Sequence, residues 1–503
     1  MTIKEVVYSY IHAIAQLNYD KKKGSVMVKK FSLLFILIMS VVFILGACSD
    51  NESVDSENGD EDVVTLSLWN RYSELRGGFA QLIEDFEAEH PGIRIETQDT
   101  PEPETQLRTA LSEGNLPDMW TNIVDLSELM EVDAVKNLDE IFTEDVKAQF
   151  QDGTWYENGT TADGSVYGFP LAAPQSKAMI MYYNKDVFDM LGLTEDDIPA
   201  SWEEFKALGQ TIVDESNGSV YPIVWNNPGW ANEQLVSMMG TAITPEVPWQ
   251  ENYKEGVPQV YTEGKIESAK FIKELLDEGL MSPESVEIGL GEAEALFSVG
   301  QSAFLWSGDW VGRQLVVESE FENWGVAPLP TKDGNPYYYH AGSEATSIRV
   351  SNDTEHWEEV KIFLEYALDH LHETVYVNTG AGLPAKEDVG GEPPFEQYND
   401  ILELESQLAI PVPKPAELNP EIVEFNRAYR NKLEVGGIGD AVVGYITGNI
   451  DDIDSEIEQI DQDMKDAFME TLDEFPEVSQ DDYIYPNWEP FEPFTVDKYD
   501  ELR

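Results

Sequence analysis

Four short segments set an indole beside amide, hydroxyl or carboxylate side chains. They are Trp69-Asn70-Arg71-Tyr72, Trp120-Thr121-Asn122 with Asp125, Trp225-Asn226-Asn227 with Trp230, and Trp306-Ser307-Gly308-Asp309-Trp310. A flat ring flanked by hydrogen-bonding groups suits a molecule with apolar faces and a hydroxyl rim, as a sugar ring has. Such a set holds a ligand without making or breaking a bond. For any single Trp the plainer reading is packed core. Trp202 in Ser-Trp-Glu-Glu-Phe and Trp357 on a helix face fit that plainer reading. Trp69 and Trp310 stand at strand-to-loop junctions, where open α/β sheets collect their binding groups.

Residue patterns for catalysis do not match. The chain has no Gly-x-Ser-x-Gly elbow, no His-Glu-x-x-His and no phosphate loop of the Walker type. His370 and His372 are two apart, so on a helix they point to different faces and make a poor metal pair. Asp451-Asp452-Ile453-Asp454 lacks the glycine and terminal Glu of a calcium loop and reads as a solvated helix start. Carboxylate pairs carry no information where acids are this abundant. No catalytic residue, cofactor or metal is expected.

The elements that must position these segments alternate. Val63 to Trp69 reads as a buried strand, and residues 73–89 as a helix with Leu75, Phe79, Leu82, Ile83 and Phe86 at helical spacing. Pro91-Gly92 ends it. Ile93 to Thr97 is a second strand, Glu104 to Glu113 a second helix, and Met119 to Ile123 a third strand. Strands alternating with helices predict βαβ units and a mostly parallel sheet. Near the C-terminus, Ile453, Ile457, Ile460, Met464, Phe468 and Leu472 mark an amphipathic helix over 451–472.

The composition narrows the setting. The 503 residues hold 31 Lys+Arg against 97 Asp+Glu, a formal net charge of −66. Such charge argues against nucleic acid as a partner and keeps the protein soluble. It is best tolerated where salt screens self-repulsion, so a saline or alkaline habitat is expected. The one cysteine, Cys48, excludes an internal disulfide. Forty-two per cent apolar residues can build a core, and the length predicts two or more domains.

Cys48 closes Leu45-Gly46-Ala47-Cys48, after an apolar run from Phe31 to Leu45 and the basic pair Lys29-Lys30. This resembles the lipobox of bacterial lipoproteins: small residues admit a peptidase and the thiol is acylated. The apolar run falls short of the ~20 residues of a spanning helix. We expect residues 1–47 to be a signal region, with translation starting at Met27 and residues 1–26 an upstream extension. Ser49 to Asp62, with seven acids in fourteen residues, is expected to be an unfolded tether between lipid and folded body.

Several blocks, in order, resemble the extracellular solute-binding proteins of family 1, which deliver substrates to bacterial ABC importers. They include "LSLWN", "FEAEHPGIRIE", "ALSEGNLPDMW", "VYGFP" at 166–170, "MYYNKDVFDMLGL…PASWEEF" at 181–205 and "ALFSVGQSAFLWSGDW" at 295–310. "WGVAPLP" at 324–330, "EEVKIFLEYAL" at 358–368 and "TGAGLPA" at 379–385 continue the series. The resemblance implies a periplasmic-binding-protein-like fold of type II, two α/β lobes joined by hinge strands with ligand in the cleft. It implies a first lobe of 63–172 plus 331–378 and a second of 173–330 plus 379–503, with crossings near Pro170–Pro174, Ala327–Thr331 and Thr379–Pro384. Residues 473–503 depart from the family pattern; with four prolines and many aromatics they are expected to form an extended strap on the second lobe.

In the sugar-binding branch of that family, the Trp of a comparable Gly-x-Trp turn stacks on ligand, which here would be Trp310. Gln175 follows the first implied hinge and Glu344 lies near the second. The expected ligand-binding set is therefore Trp310, Trp69, Asn70, Trp230, Asn226, Asn122, Asp125, Trp120, Asp309, Glu344 and Gln175, with Cys48 lipidated. The expected role is a membrane-anchored, monomeric binding protein that passes a sugar or oligosaccharide to permease subunits. The alternatives are a lipid-anchored glycoside hydrolase, or the same fold holding a peptide, polyamine or cation.

Overall fold

The structure is a computed structural model that describes residues 63–502 apart from 101–102, 123, 175–177, 226–228, 342–345 and 434–436. Cys48, the signal region and the acidic tether lie outside the described residues, as do Gln175, Asn226 and Glu344. Asp62–Arg503 packs as one compact unit.

In chain order, the strands of two main sheets are β1 (Val64–Asn70), β2 (Ile93–Asp99), β3 (Met119–Thr121), β4 (Phe169–Pro170), β5 (Met179–Asn184), β6 (Tyr221–Val224), β7 (Ser302–Gly308), β8 (Trp324–Ala327) and β9 (Ser347–Val350). The first sheet runs β2-β1-β3-β9-β4 and the second β8-β5-β7-β6. The expected βαβ start is present: β1 pairs in parallel with both β2 and β3. The sheets are nevertheless mixed. β9 enters antiparallel to β3 and β4, and β5 lies antiparallel to β7 and β8.

Sequence accounts for these placements. In β1, Leu66 and Leu68 are fully buried against α1 (Arg76–Glu89), whose Phe79, Leu82 and Phe86 form the facing stripe. Every residue of β5 and β7 is buried, as expected of central strands covered on both faces. Helix α2 (Trp202–Glu215) starts at a capping box: Ser201 Oγ accepts from Glu204 N at 3.3 Å and Glu204 Oε2 from Ser201 N at 3.0 Å. Trp202 is core, stacked on Phe271 at 4.5 Å with its Nε1 donating to Pro330 O. Each sheet carries its own hydrophobic cluster, one around Leu66, Phe86 and Phe363, the other around Met181, Leu235 and Trp306. Helix α5 (Trp357–Leu371) covers the first; α3 (Gly229–Gly240) and α7 (Ile453–Glu474) cover the second.

The segments that pass between the sheets lie side by side. Leu171 N donates to Thr346 O at 2.8 Å, while Ala385 N donates to Leu171 O and Ala173 N to Leu383 O, both at 3.0 Å. Where the family resemblance implied a crossing at Ala327–Thr331, the chain stays longer with the second sheet. Thr331 exchanges backbone bonds with Ala200 and Trp202, and Tyr337 and Tyr339 are buried in the second cluster. Among the described residues the first sheet is rejoined at Ser347.

The C-terminal strap is compact rather than extended, built of a 3-10 turn (Gln480–Tyr483) and a short helix (Val496–Asp500). Pro486, Pro490 and Pro493 lack the N–H donors a strand ladder requires. Its Tyr485, Trp488, Phe494 and Tyr499 close a small core with Tyr253, Tyr338 and Val412.

Candidate functional site

Between the two sheets lies a cleft of about 560 Å³. Arg71, Tyr72 and Glu74, just past β1, wall one side. Trp230, Trp249 and Trp310, with Gln314 and Tyr339, wall the other. Trp230 and Trp310 face each other with ring centroids 6.1 Å apart, tilted by 43°. Trp230 is 52% exposed even with the Trp310 ring beside it, an unusual state for an indole.

Local sequence sets both rings. Trp310 precedes α4 (Val311–Val317) and lies over Gly308, where any Cβ would collide with the indole. The Gly-x-Trp turn therefore needs its glycine. Trp230 opens α3 beside Gly229, whose carbonyl packs so closely on Gly439 that Gly439 has no room for a side chain.

Across the cleft, the predicted polar residues act mainly as supports. Asn70 is buried and closes a tight turn: its Nδ2 donates to Tyr72 O at 2.8 Å and its Oδ1 accepts from Tyr72 N at 3.1 Å. Asn122 Oδ1 accepts from Ser347 N at 2.9 Å and from Tyr72 Oη at 3.4 Å. Arg71 donates to Tyr72 Oη at 2.7 Å and places its guanidinium 4.5 Å from the ring centroid. Asn70 and Asn122 thus hold Arg71 and Tyr72, which face the cavity in their place.

Other expected site residues sit elsewhere. Trp120 is 1% exposed and sealed in a cluster with Leu107 and Leu129, against which Trp69 also packs. Trp120 is core and Trp69 is half-buried beside it, because β1 and β3 pair at these two residues and carry the two rings together. Asp125 pairs with Arg430 of α6 (Ile422–Lys432), a contact between the two sides of the molecule. Asp309 is buried; its backbone carbonyl accepts from Tyr182 Oη at 3.0 Å and supports the turn ahead of Trp310.

Trp249 was not singled out by pattern, and the structure places it at the centre. His340 stacks on it with centroids 4.7 Å apart and 22° between planes. Buried Lys265 donates its ammonium to Trp249 O. Burial pushes Lys265 down to about 8, opposed by Glu251 and Glu233. Burial, with Lys265 nearby, pushes His340 down to about 3, so its ring is neutral at physiological pH. Glu233, on the cleft wall, is raised by burial. Among the described residues no group of three or more His, Cys, Asp or Glu is placed to hold a metal ion, and no helix is long and apolar enough to cross a membrane.

The family model for bacterial extracellular solute-binding proteins matches residues 72–370, more than half of the chain. The chain belongs to this family. Among curated solute-binding proteins, the multiple sugar-binding protein of Streptococcus mutans is 26% identical over 349 residues, 67% of this chain and 78% of the relative. The galactooligosaccharide-binding protein of Bacillus subtilis is 24% identical over 408 residues, 78% of this chain and 90% of the relative. A solved solute-binding protein in complex with raffinose superposes with a TM-score of 0.59 at 18% identity, over 81% of this chain and 100% of that one. That likeness establishes the two-lobe fold of this solute-binding protein.

Proposed function

We propose that this solute-binding protein captures a carbohydrate in the cleft between its two sheets and releases it, chemically unaltered, to an ABC permease. The observation that carries this reading is the Trp230–Trp310 pair set opposite Arg71 and Tyr72 in a cavity of about 560 Å³. Pockets of ~300–1,000 Å³ hold small ligands, and rings opposite a guanidinium and a phenol match the apolar faces and hydroxyl rim of a sugar. The relatives named for sugars support the same ligand class.

We assign the first lobe to the β1, β2, β3, β4 and β9 sheet and the second to the β5, β6, β7 and β8 sheet. The three adjacent crossings act as the hinge. Ligand touching both lobes favours the closed arrangement, and only that arrangement presents the permease with a complete surface. Processing at Cys48 would tether the protein outside the cytoplasmic membrane.

A thermal-shift screen over neutral sugars, amino acids, polyamines and divalent metals tests the ligand class. Ligand at 100 times its dissociation constant stabilises by ~2.7 kcal/mol. A shift with sugars alone is the expected result; a shift confined to polyamines, peptides or metals would overturn it. New reducing ends on incubation with mixed glycans would replace binding by hydrolysis.

A further inference from the structure

A second cavity, of about 410 Å³, lies beyond the stacked Trp249–His340 pair, and those two residues line both spaces. Like the first, it is walled from both sides: Tyr156 and Glu157 come from the first lobe, Asn426 and Tyr429 from the second. Lys414 closes its rim, its ammonium 3.3 Å from the centroid of the Tyr156 ring.

Two buried polar atoms of its lining lack a hydrogen-bond partner among the described residues: Tyr429 Oη and His340 Nδ1. Gln314 Oε1, in the wall of the first cavity, is in the same condition. More than ~90% of buried polar groups in native proteins are partnered, and leaving one unpaired costs about 1–3 kcal/mol. The three named atoms line the two adjoining cavities, where a chain of hydroxyls would partner them. The carboxylates of the inner cavity do not oppose a neutral ligand, since burial raises both Glu157 and Glu251.

We infer that the inner cavity is a second sugar subsite, so that this protein selects an oligosaccharide long enough to pass Trp249 over a mono- or disaccharide. The inference rests on the carbohydrate reading of the first cavity. The ligand's leading units lie between Trp230 and Trp310, and its remaining units run past Trp249 toward Tyr429. Tyr429 is a length-sensing residue, touched only by the longer ligand.

Titration calorimetry with two series tests this: galactose, melibiose, raffinose and stachyose, and xylose through xylotetraose. In whichever series binds, affinity is expected to rise at least about tenfold from disaccharide to tetrasaccharide. Tyr429→Phe, a substitution the fold tolerates because the hydroxyl has no protein partner, should weaken the tetrasaccharide by about three- to tenfold, the range of one lost hydrogen bond. It should leave the disaccharide unchanged. Affinity independent of length, or an equal effect of Tyr429→Phe on all lengths, would overturn the second subsite while leaving the first intact. No binding in either series would overturn the sugar reading and this inference together.

Discussion

Lys414 places its ammonium 3.3 Å from the ring centroid of Tyr156, and the two residues belong to opposite sides of the cleft. The contact is one of a row along a single rim. Glu157 N donates to Glu417 Oε1 at 3.1 Å, Arg430 pairs with Asp125, and Arg427 pairs with Glu131. The strap supports this rim from behind, because Tyr499 Oη accepts from Lys414 N at 2.7 Å. A closing motion about the crossings near Leu171 would make or break these contacts together.

Burial pushes Lys414 down to about 7, opposed by Glu417. The Tyr156 ring from the opposite side covers the ammonium, so parting the two sides returns Lys414 toward its ordinary lysine value, and protonation favours that parting. Closure should therefore strengthen as pH rises from about 7 toward the ordinary lysine range, and stay level below 7, where both states hold the proton. Ligand affinity measured by calorimetry at pH 6 and pH 9 is expected to be higher at pH 9. Lys414→Met should flatten that difference; a slope unchanged in the variant would remove Lys414 from the coupling.

The Arg430–Asp125 and Arg427–Glu131 pairs are partly exposed, and pairs of that kind contribute ~0.2–1 kcal/mol each. The double variant Arg427→Ala, Arg430→Ala should bind ligand about two- to tenfold more weakly at low ionic strength. At 1 M salt, where the Debye length is ~3 Å, it should match the parent. A deficit that persists at high salt would point to lost packing instead of lost charge.

The alternation of strand and helix over residues 64–121 was legible because each element there announces itself locally. Leu66 and Leu68 alternate, Phe79, Leu82 and Phe86 recur at helical spacing, and Pro91-Gly92 punctuates them. The crossing into β9 was not legible, since Tyr337-Tyr338-Tyr339 could line either lobe and only distant partners in the second cluster decide. The site shows the same division. Trp310 carries its own signal in the Gly308-Asp309-Trp310 turn, and Trp230 in the Pro-Gly before it. Trp249 stands in a loop between Pro248 and Gln250 without periodicity; Lys265 and His340, far along the chain, fix it. Asn70 looked like a ligand contact, yet an Asn two residues before a turn's end also satisfies its own backbone, and that is its use here.

The strap is a structural necessity by its burial. Trp488 is 1% exposed and meets Tyr253 with centroids 5.1 Å apart. Trp488→Ala should cost ~3–5 kcal/mol in denaturant-induced unfolding, the usual range for a buried Trp. A loss below ~1 kcal/mol would show that the strap peels away without consequence for the body.

Trp310→Ala should remove most of the sugar-induced thermal shift while unfolding stays cooperative, because the indole is half-buried over Gly308 at the edge of the second cluster. Truncating an anchor of this kind typically costs ~2 kcal/mol or more of binding, about thirtyfold in affinity. A full shift in the variant would place the ligand elsewhere.

The most direct measurement is a crystal structure of the protein grown with the tightest-binding sugar from the screen. The expected density is a pyranose ring lying against Trp310 and Trp230 with a hydroxyl on Arg71 or Tyr72, both lobes in contact with one ligand. A sugar bound outside the space between Arg71 and Trp310, or touching one lobe alone, would contradict it.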